Sequence, residues 1–509
     1  MELNQENRSF CTPYIVLDTV AEQLADVDLT LPDYCPDIEK ILKCTLTPKI
    51  QSKSLTGGQL CVEGICVVSV MYIESIKKSI RCCEQNVNFS QCFLIKETPD
   101  NPVILTKTKS EYINCRALSP RRLVMHGAFS LYAKILSTKK TNIFSAKDAQ
   151  LETYRNTVRC ADLKTLCQEQ FSVSQEISIS DKPAIESVLH SDVNANITDS
   201  KAVTGKLMLN GEINLRIFYL TDVESGETSK IDYILPFNQI IDCDGINENT
   251  VNCLSCEVMS YDIRLKNDML SEKPTVLIDV KLCVTEQGFI ITDESIVTDA
   301  YSVLCASKPK FEQVMFVEEV APLNEVYMEK LSVKVDDCKI LKILDIFSDN
   351  ITSEKFYIDN KLGIKGKINI CMIALNEGNT PIFIERSFDY EHTPSVISEF
   401  TNLDLHTPTI SSMSYRLADD STVEIRCEIK ISVDAKREEC ISVINDIELF
   451  EDKPFKSDGC ALTLYFADAG ENLWEIAKSH NTRIDLMLSE NSTEKHILDF
   501  PQMLLIPEI

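Results

Sequence analysis

Alternation of apolar and polar residues dominates this chain. Its clearest run is centred on a glycine, and every second position reads Leu60, Val62, Gly64, Cys66, Val68, Val70, Tyr72. The pattern returns 147 positions later as Leu207, Leu209, Gly211, Ile213, Leu215, Ile217, Tyr219. It returns again 155 positions further on as Leu362, Ile364, Gly366, Ile368, Ile370, Met372, Ala374. A period of two over that length predicts a β-strand with one face in a core. A glycine in the middle of all three predicts a bulge or the close approach of a neighbouring backbone.

A second marker keeps its distance from the first. Ile38, Ile41 and Leu42 recur as Ile185, Val188 and Leu189, then as Ile340, Ile343 and Leu344, with the isoleucine 26 residues before the glycine each time. The spacing i, i+3, i+4 predicts one or two turns of amphipathic helix. In the first copy Pro32-Asp33-Tyr34-Cys35-Pro36-Asp37 precedes it, with proline and acid where a helix start favours them. Two markers at one separation, three times over, imply a triplication.

The second half of each copy alternates as well, over Leu123–Leu131, Val276–Val284 and Val423–Val433, and Asp244-Gly245 and Glu377-Gly378-Asn379 supply turn signals. The expectation is a mainly β protein. Three tandem β-rich, sandwich-like domains, each with a short helix, would occupy 14–160, 161–322 and 323–450. The periods are too long for a solenoid, which implies domains on a string. Polar residues 451–460, with Pro454 and Gly459, read as a linker.

The last stretch, 461–508, changes period. Tyr465-Phe466-Ala467 reads as a short strand, Gly470 as a turn, and Asn472 as the N-cap of a helix with Glu475 at N3, close to a capping box. Leu473, Ile476 and Ala477 form one apolar face of that helix. A second helix over Ile484–Leu488 and a strand ending at Pro507 complete a βααβ unit. Trp474, the only tryptophan, lies one position off the apolar face. It reads either as a partly buried core aromatic or as an interface anchor, a role in which tryptophan is enriched.

Composition narrows the function classes. With 509 residues, 44% hydrophobic and 25% charged, the chain can bury several cores. Its 51 basic and 78 acidic residues give a net charge of −27, which repels nucleic acid and anionic membrane surfaces. No basic n-region precedes an apolar core near Met1, and no run approaches the roughly 18 apolar residues of a membrane helix. A cytosolic, soluble, acidic protein is expected, and its 21 irregularly spaced cysteines are expected to be reduced.

Candidate chemistry is sparse. Cys253-Leu254-Ser255-Cys256 lacks the second pair of a zinc ribbon, and Cys243 does not complete it. Cys82-Cys83 reads as a strand edge. The six histidines (His126, His190, His392, His406, His480, His496) are scattered singly. Thr204-Gly205-Lys206 lacks the upstream glycine of a phosphate-binding loop. Acidic pairs such as Asp336-Asp337, Asp419-Asp420 and Glu438-Glu439 fit solvated turns. No enzyme, cofactor or metal is expected.

The final stretch resembles the LysM module, and a triplicated β-domain followed by such a module resembles the SipL spore-coat morphogenetic proteins of spore-forming clostridia. The LysM resemblance implies N-acetylglucosamine glycan binding between two loops, here Asp468–Asn472 and Asn491–Ile497. Candidate partner- or glycan-binding residues are therefore Asp468, Ala469, Gly470, Glu471, Asn472, Trp474, Asn491 and Ile497. The family's usual Gly-Asp-Thr is Gly470-Glu471-Asn472 here, its strand valine is Ala467, and Pro501 replaces a glycine, removing a backbone donor. With Asp468, Glu471 and Glu475 making this face acidic, docking to a protein is expected ahead of peptidoglycan. The SipL resemblance implies a spore coat assembly scaffold in the mother-cell cytoplasm, at the forespore surface and later in the coat. Its implied partners are the SpoIVA-type coat morphogenetic ATPase and other coat proteins, without nucleic acid or membrane insertion.

Overall fold

In a computed structural model the described residues are 8–144, 150–178, 182–266, 275–336, 338–358, 361–393, 400–455, 462–493 and 495–507. The three glycine-centred runs become β4 (Gln59–Glu74), β10 (Lys206–Leu220) and β16 (Lys361–Asn376). Each is the middle strand of an antiparallel meander. β4 lies between β3 (Ile38–Thr56) and β5 (Ile80–Leu94), β10 between β9 (Ser187–Val203) and β11 (Thr228–Asp242), and β16 between β15 (Ile340–Ile358) and β17 (Pro381–His392). The alternating apolar side chains named above are all buried.

The glycine has a definite cause. Gly64 pairs with Phe89, Gly211 with Phe237 and Gly366 with Tyr390 on the next strand. A Cβ on Gly211 would lie 2.3 Å from the Phe237 ring and 2.7 Å from the Asn196 carbonyl oxygen, and on Gly366 only 1.9 Å from that of Thr352. An aromatic ring thus lies across the glycine of its cross-strand partner, a pairing that pins register.

A second sheet covers each meander. In the first repeat β7 (Arg122–Ile143) is flanked by β6 (Val103–Ser119) on one side and by β1 (Arg8–Leu24) and β2 (Val27–Thr30) on the other. In the second, β13 (Thr275–Ser302) lies between β8 (Leu151–Ser178) and β12 (Val251–Lys266). In the third, β20 (Thr422–Pro454) pairs with β14 (Cys305–Lys334), β18 (Asn402–Leu405) and β19 (Thr409–Leu417). Apolar residues of both sheets meet in one core per repeat. The molecule is mainly β, as expected.

Five expectations need correction. The marker beginning at Ile38, Ile185 and Ile340 is not helical. Its spacing comes from a β-bulge, which inserts one unpaired residue and breaks the period of two. The register passes from Ile41 to Lys43, from Val188 to His190 and from Ile343 to Asp345, leaving Leu42, Leu189 and Leu344 without a partner. Ile41, Val188 and Ile343 pack into their own sandwich cores. The bulged leucines turn outward to meet Met71, Phe218 and Ile373 in one cluster shared by all three repeats.

That cluster corrects the string as well. The repeats are tandem in sequence but packed together in space. A second shared cluster takes Phe10 from β1, Val158 and Cys160 from β8, and Val314 and Phe316 from β14. Phe10 and Phe316 stack with centroids 5.0 Å apart.

The expected joins at 160/161 and 322/323 fall inside β8 and β14, so pairing separates the repeats between β7 and β8 and between β13 and β14 instead. Within the expected linker, β20 runs on to Pro454, and residues 456–461 lie outside the described residues. Finally, Cys61 and Cys92 form a disulfide across β4 and β5. They are directly opposed in register with Cα atoms 4.2 Å apart, the close spacing of a non-hydrogen-bonded antiparallel pair.

Candidate docking site

The C-terminal module folds as its pattern predicts. β21 (Leu462–Ala467) pairs antiparallel with β22 (Gln502–Pro507), with α1 (Leu473–Ser479) and α2 (Ile484–Glu490) between them. Gly470 turns the chain at φ +88°, a region glycine enters without strain. Asn472 caps α1, its Oδ1 accepting the Trp474 backbone N–H at 3.0 Å. Leu473, Ile476 and Ala477 are buried.

The two expected loops do meet. Asn472 and Ile497 form an isolated antiparallel bridge, and the Gly470 and Leu473 N–H groups donate to the Leu498 and His496 carbonyls, both at 2.8 Å. Asp468 and Ala469 are exposed, and Glu494 lies outside the described residues. Glu471 is turned back on its own loop, accepting from the Asp468 N–H at 2.9 Å and the Tyr465 hydroxyl at 3.2 Å. Asn491 is engaged within the module. Its Nδ2 donates to the Met487 and Leu505 carbonyls at 2.8 and 2.7 Å, and its Oδ1 accepts from the Leu505 N–H at 2.7 Å. A side chain so occupied holds the fold rather than a ligand.

Trp474 answers the question left open above. It is only 3% exposed, and what covers it is the second repeat. Its ring lies between Tyr154 of β8 and Tyr301 of β13, centroids at 5.2 and 4.9 Å. Its Nε1 donates to Asp299 Oδ2 at 2.7 Å, and the Lys478 ammonium contacts both Asp299 oxygens at 2.8 and 2.7 Å. A bulge at Thr298, between Val297 and Asp299 in the register with β8, aims this carboxylate. The Tyr301 hydroxyl completes the joint by donating to the Thr482 carbonyl at 2.7 Å. Trp474 anchors the module to its own chain.

The open surface lies on the other side. Leu462, Leu464 and Phe466 alternate along the outer face of β21, and Met503 sits opposite Phe466 on β22. Leu464 and Phe466 are each 65% exposed and Met503 62%. In the segment leading into β22, Ile497 and Phe500 are exposed as well. Single exposed hydrophobics are ordinary on soluble proteins, whereas a contiguous group marks an interaction surface. Of the expected site residues, Ile497 alone is an exposed large apolar side chain. The alternation Leu462-Thr463-Leu464-Tyr465-Phe466 was readable in sequence, but not which of its faces the helices would leave bare.

Elsewhere the candidate groups lie within the fold. Cys253 and Cys256 both lie within β12, Cys253 fully buried. Cys82 and Cys83 lie in β5, an outer strand of its meander. Gly205 takes the positive φ of the hairpin turn between β9 and β10. His406 Nε2 is 2.9 Å from Asp434, and His190 stacks on Phe347 with ring centres 3.9 Å apart. Among the described residues, Asp349, Cys371 and Glu385 form one group with metal-ligand spacing. The Lys43 ammonium already lies among them, 2.9 Å from Asp349 and 2.6 Å from Glu385.

Two stretches, 37–118 and 184–266, match the family model described as SipL, SPOCS domain. The chain carries tandem SipL/SPOCS domains. Each matched stretch spans one meander and the strand after it, β3 to β6 and β9 to β12. The long first and last strands that close each sandwich fall outside the matched SPOCS stretches, and so does the third repeat, although it has the same meander and covering sheet. A SipL/SPOCS assignment places the chain among sporulation-related proteins. No curated protein and no solved structure matches it. No helix among the described residues is long and apolar enough to cross a membrane.

Proposed function

We propose that this chain is a non-enzymatic scaffold of spore coat assembly. Its LysM-like module docks to the SpoIVA-type coat-basement ATPase and tethers coat to the forespore surface from the mother-cell side, while the SPOCS repeats recruit other coat proteins. The observation that carries the reading is the bare apolar face of β21 and β22, on a module that the Asp299 joint packs against the second repeat. An apolar face rimmed by polar residues is the anatomy of a protein interface, where desolvated aromatic and aliphatic anchors contribute most of the affinity. Affinity purification from sporulating cells tests this. Removing 461–509 abolishes co-purification of the ATPase while the repeats stay folded, and undiminished co-purification contradicts the proposal.

A second reading, binding of N-acetylglucosamine glycans of cortex or wall peptidoglycan, draws on the meeting of the loops at Asn472 and Ile497. Saturable binding of the whole chain to purified peptidoglycan, lost on substitution of Asp468 and Ala469 but kept on substitution of Phe466, favours it over docking.

A further inference from the structure

Cys167 lies in β8 and Cys243 one residue beyond β11, so the two belong to different sheets of the second repeat. Their Sγ atoms are 3.1 Å apart, about 1 Å more than the roughly 2.05 Å of a disulfide bond. Ala202, Leu207, Ile241, Ile246 and Val284 pack around them, and the carboxyls of Glu169 and Glu286 lie close enough to act on the pair. Cys243 is buried, whereas Cys167 is half-buried and within reach of solvent. The first repeat places two cysteines in the same core, Cys44 of β3 and Cys115 of β6, again on the meander and on the sheet that covers it. The bonded pair Cys61 and Cys92 is different, because it joins two strands of one sheet.

We propose that Cys167 and Cys243 are an oxidisable pair, and that their closure into a disulfide staples the two sheets of the repeat that carries the C-terminal module. Roles within the pair follow from their surroundings. Cys167 is the thiol within reach of solvent, and its hydrogen bond with Cys243 holds it below its ordinary value, while that same bond and burial push Cys243 up. Cys167 is therefore the thiolate that attacks first. With a small disulfide such as oxidised glutathione, the Cys167 thiolate bonds one glutathione sulfur and expels the other half as a thiolate. Cys243 then loses its proton and attacks the Cys167 sulfur, expelling the second glutathione thiolate. Two protein thiols are oxidised and one small disulfide is reduced. The closed loop contains the whole meander β9 to β11, so the staple restricts the unfolded chain as well as the folded one.

The test uses the full chain, equilibrated in reduced and oxidised glutathione, alkylated and mapped by mass spectrometry. A peptide cross-linking Cys167 to Cys243 is expected, with two fewer titratable thiols and a melting temperature raised by several degrees over the reduced chain. In Cys243→Ala, Cys167 is expected to remain as the mixed disulfide with glutathione. The proposal is overturned if, in buffers where Cys61–Cys92 is fully formed, wild-type Cys167 and Cys243 both stay free. A stable glutathione adduct on wild-type Cys167 also overturns it. Neither result depends on a variant folding.

Discussion

The C-terminal module has two apolar faces, and they differ in what covers them. The α1 face, with Trp474 and Lys478, is closed by Asp299, Tyr154 and Tyr301 of the second repeat. The outer face of β21 and β22, with Leu464, Phe466 and Met503, is closed by nothing among the described residues. A lone tryptophan draws attention as an interaction anchor, but here it is a buried aromatic packed between the module and the second repeat. An unremarkable alternation of leucine and phenylalanine is what the chain leaves for a second protein.

The contrast requires a rigid body behind the module, and the most damaging single change should lie there. Gly211→Val drives a branched side chain into the Phe237 ring and the Asn196 carbonyl. A loss of about 3 kcal/mol is expected from overpacking in urea unfolding, and a neutral result would remove the reason given for the glycine. Next comes the joint itself. Asp299→Ala leaves the Trp474 N–H and the Lys478 ammonium without their acceptor, costing about 2–3 kcal/mol of docking. Hydrogen exchange of α1 should rise sharply while that of β4, β10 and β16 does not. Equal protection in the variant would show that the covered face is not held by this carboxylate.

Acid provides a reversible version of the first experiment. Burial, reinforced by the Arg216 charge, pushes His190 down to about 4 from its ordinary value near 6.5. The folded state thus resists protonation more than the unfolded chain does. Stability from neutral His190 is complete above about pH 6.5 and is lost as pH falls from 6.5 towards 4, on the order of 2 kcal/mol by pH 5. His190→Gln should flatten that part of the profile, and an unchanged slope would assign the loss elsewhere. Smaller still is Trp474→Phe, which keeps a ring between the tyrosines but drops the bond to Asp299, for about 1 kcal/mol. Smallest is Phe466→Gln on the open face, within about 0.5 kcal/mol of wild-type stability. A larger loss would mean that this face is covered after all.

Much of this was legible in the chain because strand burial has a strict local period. The glycine-centred strands, their turns and the capped helix at Asn472 all follow from neighbours in sequence. The partners of the glycines went unread, although Phe89, Phe237 and Tyr390 follow them at similar spacing. Bulges defeated the reading at Leu42, Leu189 and Leu344, because one inserted residue converts a strand's spacing into a helix's. Repeat edges were misplaced because β8 and β14 run unbroken through the expected joins. The fate of Trp474 could not be read at all. It depends on Asp299, 175 positions away in sequence and aimed by a bulge.

The most direct test of the docking account compares two full-length variants for capture of the coat-basement ATPase from sporulating cells. Leu464→Glu combined with Phe466→Glu places charge on the open face, and Trp474→Phe trims the covered one. The account predicts at least a tenfold loss of capture for the first, with an unchanged melting temperature, and near wild-type capture for the second. Full capture by the doubly charged variant would contradict it.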